Sequence, residues 1–306
     1  MSLWYVLILS VVSSSFNNIE EFLFIGHAYG SVSVKDYQID QELLNYLNTI
    51  DHESYNYIVW GGDFIEDCNS DIEMENFQTL LPKSILEKSI YLFGNHEFQC
   101  YNSDKTNFIK KDENKFIELP SHDIFFLNTN FNNYEEADAL SLLINSSKKN
   151  KIIFTHQVIF SKTDWLFRIN SRENYSIANY FYDRIKKGNK TTHFISGDVG
   201  AFSKSPFLTY FIDGKNHFLA SVIGNPENNY LLAIRIENGD VSYQKINLEN
   251  FNKTNFNPSS IIFFYTKNLV QYFFLSKKRT FIFVIIFIIL VLLKKNLFQS
   301  KAKTLQ

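Results

Sequence analysis

The chain runs to 306 residues, 45% hydrophobic and 20% charged, with a formal net charge of −2. That is the composition of a folded protein with one sizeable core, and the length suits one domain plus extras or two small ones. Charge so near balance gives no electrostatic case for nucleic-acid binding.

Taken in order, residues 1–15 carry an apolar core from Leu3 to Val12, followed by serines. This is the outline of a secretory signal peptide, except that no Lys or Arg precedes the core; a buried first strand is the alternative. The signal reading is preferred because residues 22–26 (Phe-Leu-Phe-Ile-Gly) already supply the first strand of a sheet. Residues 39–50 then set Leu43, Leu44, Leu47 and Ile50 at helical spacing, with His52 expected at the surface beyond them. Four short apolar runs follow one plan: 57–63 (Tyr-Ile-Val-Trp-Gly-Gly-Asp), 91–97 (Tyr-Leu-Phe-Gly-Asn-His-Glu), 151–156 (Lys-Ile-Ile-Phe-Thr-His) and 192–198 (Thr-His-Phe-Ile-Ser-Gly-Asp). Each reads as a buried strand, and with helical segments between them they predict an α/β fold. Ligands gather at the carboxyl ends of such strands, so Asp63, Asn95, His156 and Asp198 are expected at one edge.

Between these runs, residues 123–128 read as a further strand, 134–144 as an amphipathic helix and the Tyr-rich stretch 175–185 as a helix whose aromatics belong to the core. His122, His193 and His217 show no partner pattern and are read as structural. From 207 to 246 the texture becomes alternating strands, with hairpin turns at Asp213-Gly214 and Asn238-Gly239.

In order and spacing, Gly62-Asp63, Gly94-Asn95-His96-Glu97, Thr155-His156 and Gly197-Asp198 resemble the signature of the calcineurin-like metallophosphoesterases, and the resemblance covers about residues 22–200. It implies a two-sheet β-sandwich flanked by helices, an αββα arrangement, in a domain over residues 20–250. It also implies a phosphate-ester substrate and a divalent metal: manganese, iron, magnesium or zinc. Such ions neutralise the phosphate charge, generate a nucleophile near neutral pH and orient the in-line geometry. Asp63 would bridge two metals. One would be held by Asp63, Asn95, His156 and Asp198, the last standing where the family has a histidine. The other would take the positions of Ile25, His27, Asp63 and Gly200, of which only His27 and Asp63 keep a donor atom. His96 matches the histidine that stabilises the transition state or protonates the leaving oxygen. With oxygen donors in the majority, the intact site favours harder ions over zinc. Glu66 and Asp67, just past Asp63, are read as solvated loop acids, the alternative being that they replace the carboxylate lost at Ile25. Cys68 and Cys100 each fall five positions after Asp63 and Asn95. The resemblance makes those strands neighbours, leaving the two thiols either as a disulfide of an exported domain or as free cysteines.

Residues 251–279 read as a linker and juxtamembrane segment, 280–293 as an uninterrupted apolar stretch with basic residues at both ends, and 294–306 as a basic tail. Fourteen residues rise only ~21 Å as a helix, short of the ~20 residues usual for a crossing. Snorkelling lysines and local thinning of the bilayer close that gap. A C-terminal transmembrane helix is therefore expected, and with a signal peptide it places the catalytic domain on the extracytoplasmic side of a single-pass protein. The expectation is a membrane-anchored hydrolase of phosphate mono- or diesters, with a membrane-tethered binding or scaffolding module as the alternative. Oligomeric state is not legible.

Overall fold

The computed structural model describes residues 11–12, 19–29, 39–64, 77, 79–97, 115–129, 133–157, 173–185, 189–198, 210–221, 223 and 229–255. All belong to the first of two compact units, residues 1–164 with 168–259; the second, 165–167 with 260–306, lies outside them. The candidate anchor at 280–293, both cysteines, Glu66, Asp67 and Gly200 fall outside the described residues, as does the candidate signal apart from Val11–Val12. Among the described residues, no helix is long and apolar enough to cross a membrane.

Among the described residues, thirteen strands form two sheets. In chain order they are β1 (Val11–Val12), β2 (Ile19–Ile25), β3 (Tyr57–Trp60), β4 (Ser89–Tyr91), β5 (Lys115–Glu118), β6 (His122–Leu127), β7 (Asn150–Thr155), β8 (Thr192–Ser196), β9 (Tyr210–Asp213), β10 (Asn216–Ala220), β11 (Tyr230–Glu237), β12 (Asp240–Asn247) and β13 (Lys253–Asn255). The larger sheet has the order β1-β5-β6-β7-β8-β10-β9, the smaller β13-β12-β11-β2-β3-β4. The longer α-helices among the described residues are α1 (Gln41–Thr49), α2 (Lys83–Lys88), α3 (Tyr134–Ser146) and α4 (Glu173–Ile185). Local chemistry sets their starts. Asp40 caps α1 by accepting from the N–H groups of Glu42 and Leu43, both at 3.1 Å, and Asn133 caps α3 by accepting from Glu136 at 2.9 Å.

The central strands are buried on both faces, so the middles of the sheets are covered on both sides, while the edge strand β13 is exposed throughout and β12 is buried at only two of its eight residues. On β2, Phe22 and Phe24 point into the space between the sheets, where they meet Ile124, Phe126, Ile152, Phe154, Ile195 and Leu219 of the larger sheet. Phe154 is the hub, its ring 5.6 Å from both Phe22 and Phe24 and 5.1 Å from Phe126. A side chain of this kind, fully buried, contributes ~1.5–3 kcal/mol. The alternate residues Leu23 and Ile25 face away, joining Trp60, Leu43, Leu47 and Ile85 in a second core against α1 and α2. Across the molecule Tyr182 of α4 packs edge-on against Phe194 of β8, so the Tyr-rich helix gives Phe181 and Tyr182 to the core, as expected. The layers are thus helix, sheet, sheet, helix.

Several elements stop short of their expected bounds: β3 ends at Trp60, three residues before Asp63, β8 at Ser196, two before Asp198, and β4 at Tyr91, where the run 91–97 read as a strand only begins. The glycines after each strand break the ladder, and the acidic residue stands on a turn instead of a strand. Both anticipated hairpins form, β9–β10 and β11–β12, with Gly214 and Gly239 at positive φ. His52 departs from its surface placement: half-buried, its Nδ1 contacts Ser84 Oγ at 2.7 Å and its Nε2 contacts Leu47 O at 2.6 Å, tying α1 to α2. The short elements β5, β13 and α2 were beyond the periodic signal, whereas β1 falls in the stretch 1–15, for which a strand is the alternative to a signal peptide. Val11–Val12 pairs parallel with Phe116–Ile117 at the edge of the larger sheet.

Candidate metal centre

The carboxyl ends of β2, β3, β4, β7 and β8 point the same way. Because β2–β4 lie in one sheet and β7–β8 in the other, the site straddles both. The two sheets close on one another there through glycine. A Cβ on Gly197 would lie 2.1 Å from the Gly61 carbonyl oxygen, so only glycine lets the turn after β8 meet the turn after β3.

Asp63 sits at the middle of this convergence, 2% exposed. Its backbone is left-handed at φ 50, a conformation of limited stability for a residue with a side chain, and the surroundings hold it there. The Glu97 carboxylate, 2% exposed, accepts from the N–H groups of Asp63 at 2.8 Å, Phe64 at 2.8 Å and Gly94 at 2.7 Å. Three backbone donors are thereby satisfied by one buried carboxylate, and the turns after β3 and β4 are pinned together. A Cβ on Gly94 would stand 2.0 Å from Asp63 Oδ1. Glu97 closes the Gly-Asn-His-Glu motif, but sequence reasoning gave it no role; the motif itself was the signal.

Around Asp63 stand three imidazoles. His156 Nε2 is 3.5 Å from Oδ1, His27 Nε2 is 3.6 Å from Oδ2, and His96 Nε2 is 4.0 Å from Oδ2. The His96 backbone N–H also donates to Oδ1 at 3.2 Å. Burial pushes the Asp63 carboxyl up, but the charges of His156, His27 and His96 and this hydrogen bond outweigh it and hold the group below the usual carboxylate range. His156 is fully buried. Burial would lower its ring, yet Asp63, Asp198 and the Gly61 carbonyl outweigh that and raise it above its ordinary value.

The His156 Nδ1–H donates to the Gly61 carbonyl oxygen at 2.8 Å. A carbonyl can only accept, so in the neutral ring the lone pair is on Nε2, the atom that faces Asp63 Oδ1 and, at 3.4 Å, Asn95 Oδ1. Asp198 completes the set: one ligand atom from each of Asp63, His156 and Asp198 lies within 4.8 Å of the others. Buried oxygens and an imidazole lone pair turned on a single point suit a divalent cation, which fits here. The four residues expected to hold the intact metal, Asp63, Asn95, His156 and Asp198, are therefore brought together, and His27 and His96 border them. Ile25 adds nothing to the site, because alternation along β2 turns it into the core against α1. The segment after β2 instead presents His27 and Tyr29.

A sequence profile described as calcineurin-like phosphoesterase matches residues 27–199. No curated protein matches the chain. Among solved structures, GAP50 of Plasmodium, described as the anchor in the inner membrane complex, is similar with a TM-score of 0.51 and 12% identity, over 79% of this chain and 90% of that one. A predicted phosphoesterase of Streptococcus pneumoniae aligns at 0.34 and 14%, over 76% and 91%. A candidate 5′-nucleotidase of Staphylococcus aureus, in complex with alpha-ketoglutarate, aligns at 0.41 and 12%, over 78% and 53%.

Proposed function

This chain belongs to the calcineurin-like phosphoesterase family, and from that premise we propose that it is a metal-dependent hydrolase of phosphate mono- or diesters, anchored in a membrane by residues 280–293 with its catalytic domain extracytoplasmic. The observation that carries the catalytic reading is the buried convergence of Asp63, His156 and Asp198 within 4.8 Å, with Asn95 Oδ1 against His156 Nε2. The metal supplies charge neutralisation at the phosphoryl oxygens and a more acidic water. The chain's own part is to hold that ion between Asp63, Asn95, His156 and Asp198, with oxygen donors that suit manganese, magnesium or ferrous iron. Glu97 locks the turns that carry Asp63 and Asn95. His96, its Nε2 directed at the centre, is placed to give a proton to the leaving oxygen.

A second reading has its own observation. Ile25 lies in the core, which leaves the other metal position with only His27 and Asp63 of its four residues, as expected of a membrane-tethered binding or scaffolding module. The fold likeness to GAP50, described as an anchor, accords with that reading.

The test is hydrolysis of aryl phosphate mono- and diesters by the full-length chain in detergent, with manganese added, beside Asp63→Asn. Turnover that needs manganese, is abolished by a chelator and falls more than ~10²-fold in the variant is expected, since even outer-shell changes at metal sites cost 10–100-fold. Failure to bind manganese would sink the catalytic reading and leave the tethered module.

A further inference from the structure

The turn after β2 delivers a tyrosine into the centre that no role so far accounts for. Tyr29 is 8% exposed. Its ring lies 4.3 Å from that of His27 and 5.2 Å from that of His96, and its hydroxyl is 3.4 Å from His96 Nε2. That nitrogen is the same atom that stands 4.0 Å from Asp63 Oδ2. His27 and Tyr29 are the side chains this segment turns to the site.

The His96 side chain is 28% exposed and rides on the helical turn 95–97, where other rotamers would swing Nε2 out to water. Two contacts from Tyr29 oppose that swing: its ring packs tilted against the imidazole, and its hydroxyl engages Nε2.

We propose that Tyr29 is a positioning residue for His96: its hydroxyl oxygen accepts from the His96 Nε2–H, which keeps the ring on the metal centre with the proton on that nitrogen, from which it passes to the leaving oxygen of a bound phosphate ester. This rests on the phosphoesterase reading for its chemistry, but the placement of the ring stands apart from it. Tyr29 acts through His96 and leaves the Asp63, Asn95, His156 and Asp198 ligand set intact. Its effect therefore falls on the turnover step, and most on substrates whose leaving group is poor and needs the proton.

Tyr29→Phe is the informative substitution, because it keeps the ring packing and removes only the hydroxyl. In the full-length chain with manganese, kcat is expected to fall ~10-fold for an alkyl phosphate, with little change for p-nitrophenyl phosphate and none in KM. Tyr29→Phe combined with His96→Ala is expected to be no slower than His96→Ala alone, since the hydroxyl has nothing left to position. An equal loss on both leaving groups, or losses that multiply in the double variant, would overturn the assignment. Should the wild type hydrolyse neither ester, the phosphoesterase reading fails separately. The positioning is then read from the ring nitrogen resonances of His96 in chain labelled with ¹⁵N-histidine: a changed tautomer balance in Tyr29→Phe supports it, and an unchanged one refutes it.

Discussion

At the scale of single residues, the chemistry of the site depends on groups that touch no substrate. Glu97 is the clearest case: one carboxylate holds three backbone N–H groups and, through them, the left-handed Asp63 and the close approach of Gly94. Hydrogen bonds to a charged acceptor contribute ~1.5–3 kcal/mol, and a buried donor left unmet costs a comparable amount. Glu97→Gln keeps the volume but turns an amide donor toward one of those N–H groups. We expect it to lower stability by ~2 kcal/mol and the thermal midpoint by ~4–8 °C in calorimetry, with a weaker affinity for manganese as Asp63 loosens. An unchanged midpoint would show that the three hydrogen bonds are dispensable. Glu97 could be seen in the sequence as the last letter of a motif; its carboxylate reaching back to residues 63 and 64 could not, because that contact exists only once β3 and β4 are side by side.

At the scale of elements, the pole opposite the metal centre carries a polar cluster between the sheets. His122, His193 and His217 come from β6, β8 and β10, and the His193 ring is 6.1 Å from that of His122 and 4.6 Å from that of His217. Tyr243, on β12 of the smaller sheet, hydrogen-bonds His193 Nδ1, and Tyr210 of β9 reaches His217 Nδ1 at 3.1 Å. Read singly from the sequence, the three histidines are structural residues without partners. Pleating puts each on the inward face of its strand, where they become neighbours. Burial, with the nearby His217 and His122 adding to it, holds the His193 ring well below 6.5, and burial lowers His122 and His217 as well. The unfolded chain takes up these protons more readily than the folded one, so the contribution of these three histidines to stability is full above pH ~6.5 and declines as pH falls below it, by up to ~1.4 kcal/mol per pH unit for His193. Urea unfolding at a series of pH values measures this slope. His193→Gln should flatten it, and a slope unmoved by that change would place the acid sensitivity elsewhere.

At the scale of the whole molecule, the proposed anchor predicts partition into lipid. The full-length chain should float with phosphatidylcholine vesicles in a density gradient, and a chain lacking residues 280–293 should stay at the bottom; equal behaviour would remove the anchor from the account. What the sequence determined by itself is whatever local pattern encodes: the buried strands, the capped helices, the two glycine hairpins and the ordered motif that names the family. These follow from periodicity, turn chemistry and the donor atoms of particular side chains, all readable within a few residues. What only the tertiary structure decided is what long-range pairing creates. The hairpin β11–β12 returns more than 200 residues along the chain to pair β11 with β2, Leu232 opposite Phe24, and so completes the smaller sheet around its first strand. The second sheet then brings β7 and β8 against β3 through Gly61 and Gly197, setting His156 and Asp198 on Asp63. The pleat of β2 likewise sends Ile25 into the core and leaves His27 and Tyr29 at the centre. Motif spacing specifies which donors are available; the register of a strand and the face it presents follow from packing against partners far away in sequence.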